Sequence, residues 1–273
     1  MTPNSTPRTT LVVAHRGSSG AHAEHTLTAY EKAIVEGADA LECDVRLTRD
    51  GVLVCVHDRR VDRTSDGRGV VSTLELADLA ELDFASWKQR EHDALLEAAW
   101  EEPDLDGSRV LTLERLLQLV IEAEQPVQLH VETKHPTRYG GLVEKSLVDL
   151  LGRYGLGQPL TRSASRVTVM SFAATSLRRI HAMAPALPTV LLMSRVPLRY
   201  RDGSLPPRVG IAGPSLEVLR AHPGYVERVH AAGHRVHVWT VDDEEDIAYV
   251  LGLGVDAVIS NHPRRVLRML AES

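Results

Sequence analysis

Cysteine is scarce in this chain, and so are the features that would mark it for a membrane, the secretory route or a nucleic acid. Only Cys43 and Cys55 occur. Both fall in stretches that read as strands, with no C-x-x-C spacing. They could pair, but buried, reduced thiols in a cytoplasmic protein are the expectation. The leading MTPNSTPRTT has no apolar core after a basic start, so no secretory signal is expected, and residues 1–8 read as a disordered polar tail. No stretch approaches the roughly 18 apolar residues of a membrane span. There are only two phenylalanines and no aromatic amphipathic helix that would lie on a membrane. Positive charge is not in excess: Lys and Arg number 31 against 37 Asp and Glu, scattered along the chain, which argues against a nucleic-acid face. Low-complexity segments and internal repeats are missing too.

What is present is alternation. The chain is 273 residues long, 43% hydrophobic and 25% charged, ordinary for a globular protein and long enough for one large barrel. Nine stretches read as strands: 9–17, 38–45, 52–58, 127–134, 166–172, 189–194, 209–215, 235–241 and 255–261. Helical patterns separate most of them. One runs over TLTAYEKAIVEG, with Thr26 as N-cap and Gly37 as stop, and another over TLERLLQLVIEAEQ. Strands alternating with helices imply a parallel sheet. A closed barrel of this class holds eight strands, so one candidate must lie outside it. The TRDG linker (48–51) identifies which: four residues allow only an antiparallel hairpin, because parallel neighbours need a crossover of about a dozen residues or more. The expected fold is α/β, a (β/α)8 TIM barrel spanning 9–270 as a single domain, with a hairpin after strand 2 and an insertion over about 59–109. An open doubly wound sheet is the runner-up, weakened because no strand is followed by a nucleotide fingerprint. The insertion carries two amphipathic patches, STLELADLAEL and HDALLEAAW, which would form either a substrate mouth or a packing cap.

The chemistry gathers at the C-terminal ends of these strands. In LECDVRLTRDGVLVCVHD, Glu42 and Asp44 are two residues apart and share a face, while Cys43 takes the other. Glu132 and Lys134 share a face in VETK by the same rule. His15 closes the first strand, and the hairpin returns His57 towards Glu42 and Asp44. Barrel enzymes place their sites at this end. Three converging carboxylates repel one another unless a cation sits among them, and oxygen-only ligation favours a hard divalent ion, Mg²⁺ or Ca²⁺. Taken singly, each feature has a plainer reading: a solvated ExD at a strand edge, a turn at HRG, a surface ion pair in VETK. Their clustering on one end of one barrel weighs against that. His130 lies deeper and reads as a hydrogen-bonded core histidine; His237 and Trp239 could belong to core or pocket.

The segments AHRGSSGAHAEHT, GADALECDVRLTRDGVLVCVHD, RTSDGRG and VETK resemble the glycerophosphodiester phosphodiesterase family, and MSF, VWTVDD and GVDAVISNHP are similar to its closing motifs. The likeness runs from about residue 11 to 264. Related barrels of the phosphatidylinositol phospholipase C and sphingomyelinase D types share parts of it. The resemblance implies hydrolysis of a small-molecule glycerophosphodiester to sn-glycerol 3-phosphate and an alcohol. It implies His15 and His57 as the catalytic pair, and Glu42, Asp44 and Glu132 as ligands of one divalent cation. Arg16 and Lys134 would contact the phosphate, and Trp239 would line the substrate pocket. One departure stands out: where the family shows PENT, this chain has Ala23-Glu24-His25-Thr26. Two other functions stay open. A lipid phosphodiesterase of the lysophospholipase D or sphingomyelinase D type would need an apolar mouth; a non-catalytic phosphodiester-binding barrel would bind without turnover.

Overall fold

The computed structural model describes residues 10–88, 108–138 and 140–272. Nine strands are arranged as the spacing predicts. They are β1 (Leu11–His15), β2 (Ala40–Leu47), β3 (Leu53–Cys55), β4 (Gln128–Thr133), β5 (Val167–Ser171), β6 (Thr189–Met193), β7 (Ile211–Pro214), β8 (Arg235–Val238) and β9 (Ala257–Ser260). All except β3 run parallel, and the β1–β2 pairing closes the eight into a barrel. β3 pairs antiparallel with β2, Val45 opposite Cys55 and Leu47 opposite Leu53. The turn between them closes through Thr48 N–H to the Val52 carbonyl at 2.9 Å, and Gly51 supplies the φ of +87° that the turn requires. The Val56 N–H then reaches the Asp44 carbonyl at 3.0 Å, which carries the following His57 to the mouth of the barrel.

Helices clothe the outside: α1 (Leu27–Glu36), α2 (Leu76–Ala80), α3 (Leu113–Glu122), α4 (Leu142–Arg153), α5 (Ala174–Met183), α6 (Leu216–Ala221), α7 (Tyr225–Ala231), α8 (Glu244–Gly252) and α9 (Pro263–Glu272). Their boundaries follow local chemistry. Thr26 Oγ1 accepts the Ala29 N–H at the start of α1, and Gly37, at φ +90°, ends it. Thr112 caps α3 in the same way. Leu113, Leu116, Leu117 and Val120 recur at the helical period and are buried against the barrel, each stabilising the fold by roughly 1.5–3 kcal/mol.

Strand parity divides the core in two. Outward residues such as Leu41, Cys43, Val45, Leu129 and Val131 pack beneath the helices. Inward residues, Val13, Ala40, Met170, Val190, Leu192 and Ile259 among them, fill the barrel. Both cysteines are free and buried. The described part of the insertion makes a small core of its own against the hairpin, with Val61, Val71, Leu79 and Phe84 closing over Val54 and Val56. The amphipathic patch STLELADLAEL falls partly on α2; HDALLEAAW and the 1–8 tail lie outside the described residues. One expectation is corrected. His130 is fully buried but is not hydrogen-bonded to any described residue; it stacks on His237, ring centroids 5.4 Å apart and planes within 7°. Both lie on the inward parity of β4 and β8; Glu42 and Thr168 are the register partners of His130 on the neighbouring strands, but neither hydrogen-bonds its ring.

Candidate active site

Register, rather than sequence proximity, assembles the acidic residues. β1 against β2 sets His15 opposite Glu42, and β2 against β4 sets Asp44 opposite Glu132. One oxygen from each of Glu42, Asp44 and Glu132 lies within 4.8 Å of the others, all three buried. Lys134 Nζ sits 2.8 Å from Asp44 and 2.8 Å from Glu132. These surroundings split the three carboxyls. Burial, then repulsion from Asp44, pushes Glu132 up to about 8 and raises Glu42 well above the usual carboxylate range. Asp44 is buried as deeply, yet Lys134, the His25 hydrogen bond and Arg16 hold it well below that range. An all-oxygen donor set in which burial and mutual repulsion raise two of the three acids fits a hard divalent cation.

The two histidines are held alike. His15 Nδ1 lies 2.7 Å from Asn261 Oδ1, whose amide nitrogen is in turn fixed 2.6 Å from Asp242. Asn261 Oδ1 also accepts from the Ser19 hydroxyl, so it faces His15 as an acceptor and the ring proton is assigned to Nδ1. His57 Nδ1 lies 2.7 Å from Asp58 Oδ1. In both rings this leaves Nε2 for the pocket, and Nε2 of His15 is 4.0 Å from Glu42. Burial, then the Arg16 charge, lowers His15 to about 3; burial also lowers His57, opposed by Asp44 and Asp58. Arg46 pins the segment by donating Nε and Nη2 to the His57 carbonyl at 3.0 and 2.7 Å.

Arg16 adopts φ +57°, and its guanidinium lies 3.1 Å from Asp44 and 3.0 Å from Glu24. The adjacent Gly17 cannot carry a side chain: a Cβ there would come within 2.7 Å of the Ala29 backbone. Glu24 also binds Arg63, which reaches Asp58, so a chain of charge links the loop after β1 to His57. His25 fills the family's asparagine position. Its Nε2 lies 2.9 Å from Asp44 and its Nδ1 2.8 Å from the Tyr30 hydroxyl, which gives its hydrogen to the Glu42 carbonyl.

His15, Arg16, His57 and Lys134 face a cavity of about 110 Å³ together with Phe172 and Trp239. Trp239 donates Nε1 to the Gly213 carbonyl at 2.7 Å and meets Phe172 edge-on at 5.4 Å. Of the site residues expected from the sequence, His15, Arg16, Glu42, His57, Glu132, Lys134 and Trp239 line one pocket, and Asp44 contacts two of them, Arg16 and Lys134. Asn261, Asp242, Arg46, Arg63 and the His25–Tyr30 link were not singled out. The hints were slight: Asn261 sits in the ISNHP stretch, and Asp58 follows His57 directly.

The family model described as the glycerophosphoryl diester phosphodiesterase family matches residues 15–265. The chain is 48% identical over 265 residues to a Mycobacterium tuberculosis protein named "Probable glycerophosphodiester phosphodiesterase 1", covering 96% of this chain and 93% of that one. It is 36% identical to a Bacillus subtilis glycerophosphodiester phosphodiesterase, over 94% of this chain and 85% of that one. Among solved structures, it resembles an Oleispira antarctica phosphodiesterase in complex with the product sn-glycerol-3-phosphate. The TM-score is 0.81 and the identity 25%, covering 96% of this chain and 97% of the other.

Proposed function

Because the chain belongs to the glycerophosphoryl diester phosphodiesterase family, we propose that it hydrolyses glycerophosphodiesters to sn-glycerol 3-phosphate and an alcohol, using His15 and His57 as a proton-transfer pair. Glu42, Asp44 and Glu132 would hold one divalent cation, Mg²⁺ or Ca²⁺. Bound there, such an ion supplies positive charge to phosphoryl oxygens and orients them. A phosphodiester is an anion, and attack on it adds negative charge. The Arg16 fork and the Lys134 ammonium stand at the same rim to balance it. The attacking hydroxyl, from the neighbouring glycerol carbon or from water, must lose a proton, and the departing alkoxide must gain one. Two imidazoles, each with Nδ1 tied outward, offer two Nε2 atoms for those transfers. Attack by the glycerol hydroxyl would give a cyclic phosphate that water then opens. Trp239 and Phe172 would wall the glycerol side. The buried thiols of Cys43 and Cys55 support a reducing, cytoplasmic setting. Among the described residues, no helix is long and apolar enough to cross a membrane.

The observation that carries this reading is the position of two outward-anchored histidines at the rim of a pocket that also exposes Glu42 and Glu132. The test offers glycerophosphocholine to the purified protein with Mg²⁺ or Ca²⁺ and measures glycerol 3-phosphate. His15→Ala and His57→Ala should each lose roughly 10²–10⁴ in rate, and excess chelator should abolish turnover. Full activity in either variant would remove the mechanism; undiminished turnover in chelator would remove the metal.

A further inference from the structure

Beside the catalytic pocket lies a larger cavity of about 280 Å³, and Lys134 is a wall of both. Its charged lining is of one sign: Arg46, Arg59 and Arg138 join Lys134, and no carboxylate is among the lining residues. The floor is apolar, formed by Leu47, Val71 and Val143. Arg46 spends Nε and Nη2 on a neutral carbonyl, so that bond does not cancel its charge. The Arg59 side chain makes no ion pair among the described residues. Lys134 is already paired with Asp44 and Glu132, so the charge offered to an entering anion comes first from Arg46 and Arg59, and the apolar walls strengthen that attraction.

Resting on the reading of the preceding subsection, we infer that this cavity is a leaving-group subsite. It selects glycerophosphodiesters whose alcohol carries a further anionic group, a carboxylate or a second phosphate. Displacement at phosphorus puts the attacking and leaving oxygens on opposite sides. The smaller pocket, walled by Trp239 and Phe172, suits the compact glycerol half. The other half then leaves past Lys134 into the larger cavity, where its extra charge meets Arg59 and Arg138 at the rim. A cationic head group would meet the same residues unfavourably.

Matched substrates test this. Glycerophosphoserine differs from glycerophosphoethanolamine by one carboxylate, and glycerophosphoglycerol phosphate from glycerophosphoglycerol by one phosphate. The unchanged enzyme should favour the anionic member of each pair in kcat/KM. Arg59→Ala and Arg138→Ala, both exposed positions, should each cut kcat/KM on the anionic member about fivefold and leave the other member within about twofold. Equal losses on both members, or no loss, overturn the subsite while leaving the reaction standing. Turnover of neither pair by the unchanged enzyme sinks the reaction and the subsite with it. Inorganic phosphate provides the last arm. If it inhibits both members of a pair equally, and Arg59→Ala abolishes that inhibition, the cavity holds a free anion and the leaving-group assignment falls.

Discussion

His57 Nδ1 lies 2.7 Å from Asp58 Oδ1, whereas His15 Nδ1 meets only the neutral amide oxygen of Asn261 at the same distance. A carboxylate favours imidazolium; an amide oxygen does so far less. Asp58 is also paired with Arg63, which holds it down to about 2, so it is ionised at working pH. In Asp58→Asn that support is gone and the His57 pKa, already lowered by burial, falls further. The limb of the pH–rate profile governed by His57 then moves to lower pH, whether the ring gives or takes the proton. The rate loss should be smaller than that for deleting the ring, roughly 10²–10⁴. A pH–kcat/KM profile decides; a limb that stays in place would show that Asp58 does not tune His57.

The acid cluster should respond unevenly to neutralisation. Glu132 is pushed up to about 8 by burial and by Asp44, so without an ion its ionised form burdens the fold. Among the described residues Glu132 has Lys134 alone as a cationic partner, whereas Asp44 pairs with Lys134, Arg16 and His25 and is held ionised. In chelator, Glu132→Gln should therefore melt at or above the parent's temperature. Asp44→Asn should melt lower, by an amount matching roughly 3–5 kcal/mol for stranding buried cations. The parent alone should gain stability from Mg²⁺ or Ca²⁺, about 2.7 kcal/mol at a hundredfold excess over Kd. Calorimetry of the three proteins with and without ion reads both effects. Equal destabilisation by the two substitutions would contradict the division of charge described here.

His25 holds φ +62°, a conformation that asparagine tolerates and branched residues do not. Its bonds to Asp44 and Tyr30 assist a carboxylate that already has Lys134 and Arg16. His25→Asn should then fold and keep activity within about a hundredfold, since losing a hydrogen bond to a charged group costs roughly 1.5–3 kcal/mol. His25→Ile should lose more stability, because it combines backbone strain with a missing donor. Equal melting temperatures for the two variants would refute the conformational part of this argument.

Much of the site was legible because strand parity is a local rule: Glu42 and Asp44 had to share a face, and the four-residue TRDG linker had to make a hairpin. Thr26 and Gly37 bounded α1 for equally local reasons. What escaped was fixed by closure of the barrel. Asn261 reaches His15 across 246 positions because β1 lies between β2 and β9, and no periodicity encodes that pairing. The same holds for Arg46, whose guanidinium grips a carbonyl eleven residues on only because the hairpin folds back. His130 was legible as core, but its partner was not: the stack with His237 depends on which inward residues of β4 and β8 share a level inside the barrel.

That stack gives the fold an acid sensitivity whose sign can be worked out. Burial, then the nearby His130 and Arg235, lowers His237 well below its ordinary 6.5. The folded protein thus keeps the ring neutral, while the unfolded chain binds a proton as pH drops through about 6.5. The unfolded state then holds more protons, so stability is undiminished above that pH and falls below it, by at most about 1.4 kcal/mol per pH unit for this ring. His237→Phe keeps an aromatic ring against His130 and removes the titration. Urea midpoints at pH 7 and pH 5 should converge in the variant relative to the parent. Were the parent's midpoint to fall no further than the variant's on acidification, the buried imidazole would not be the source of the sensitivity.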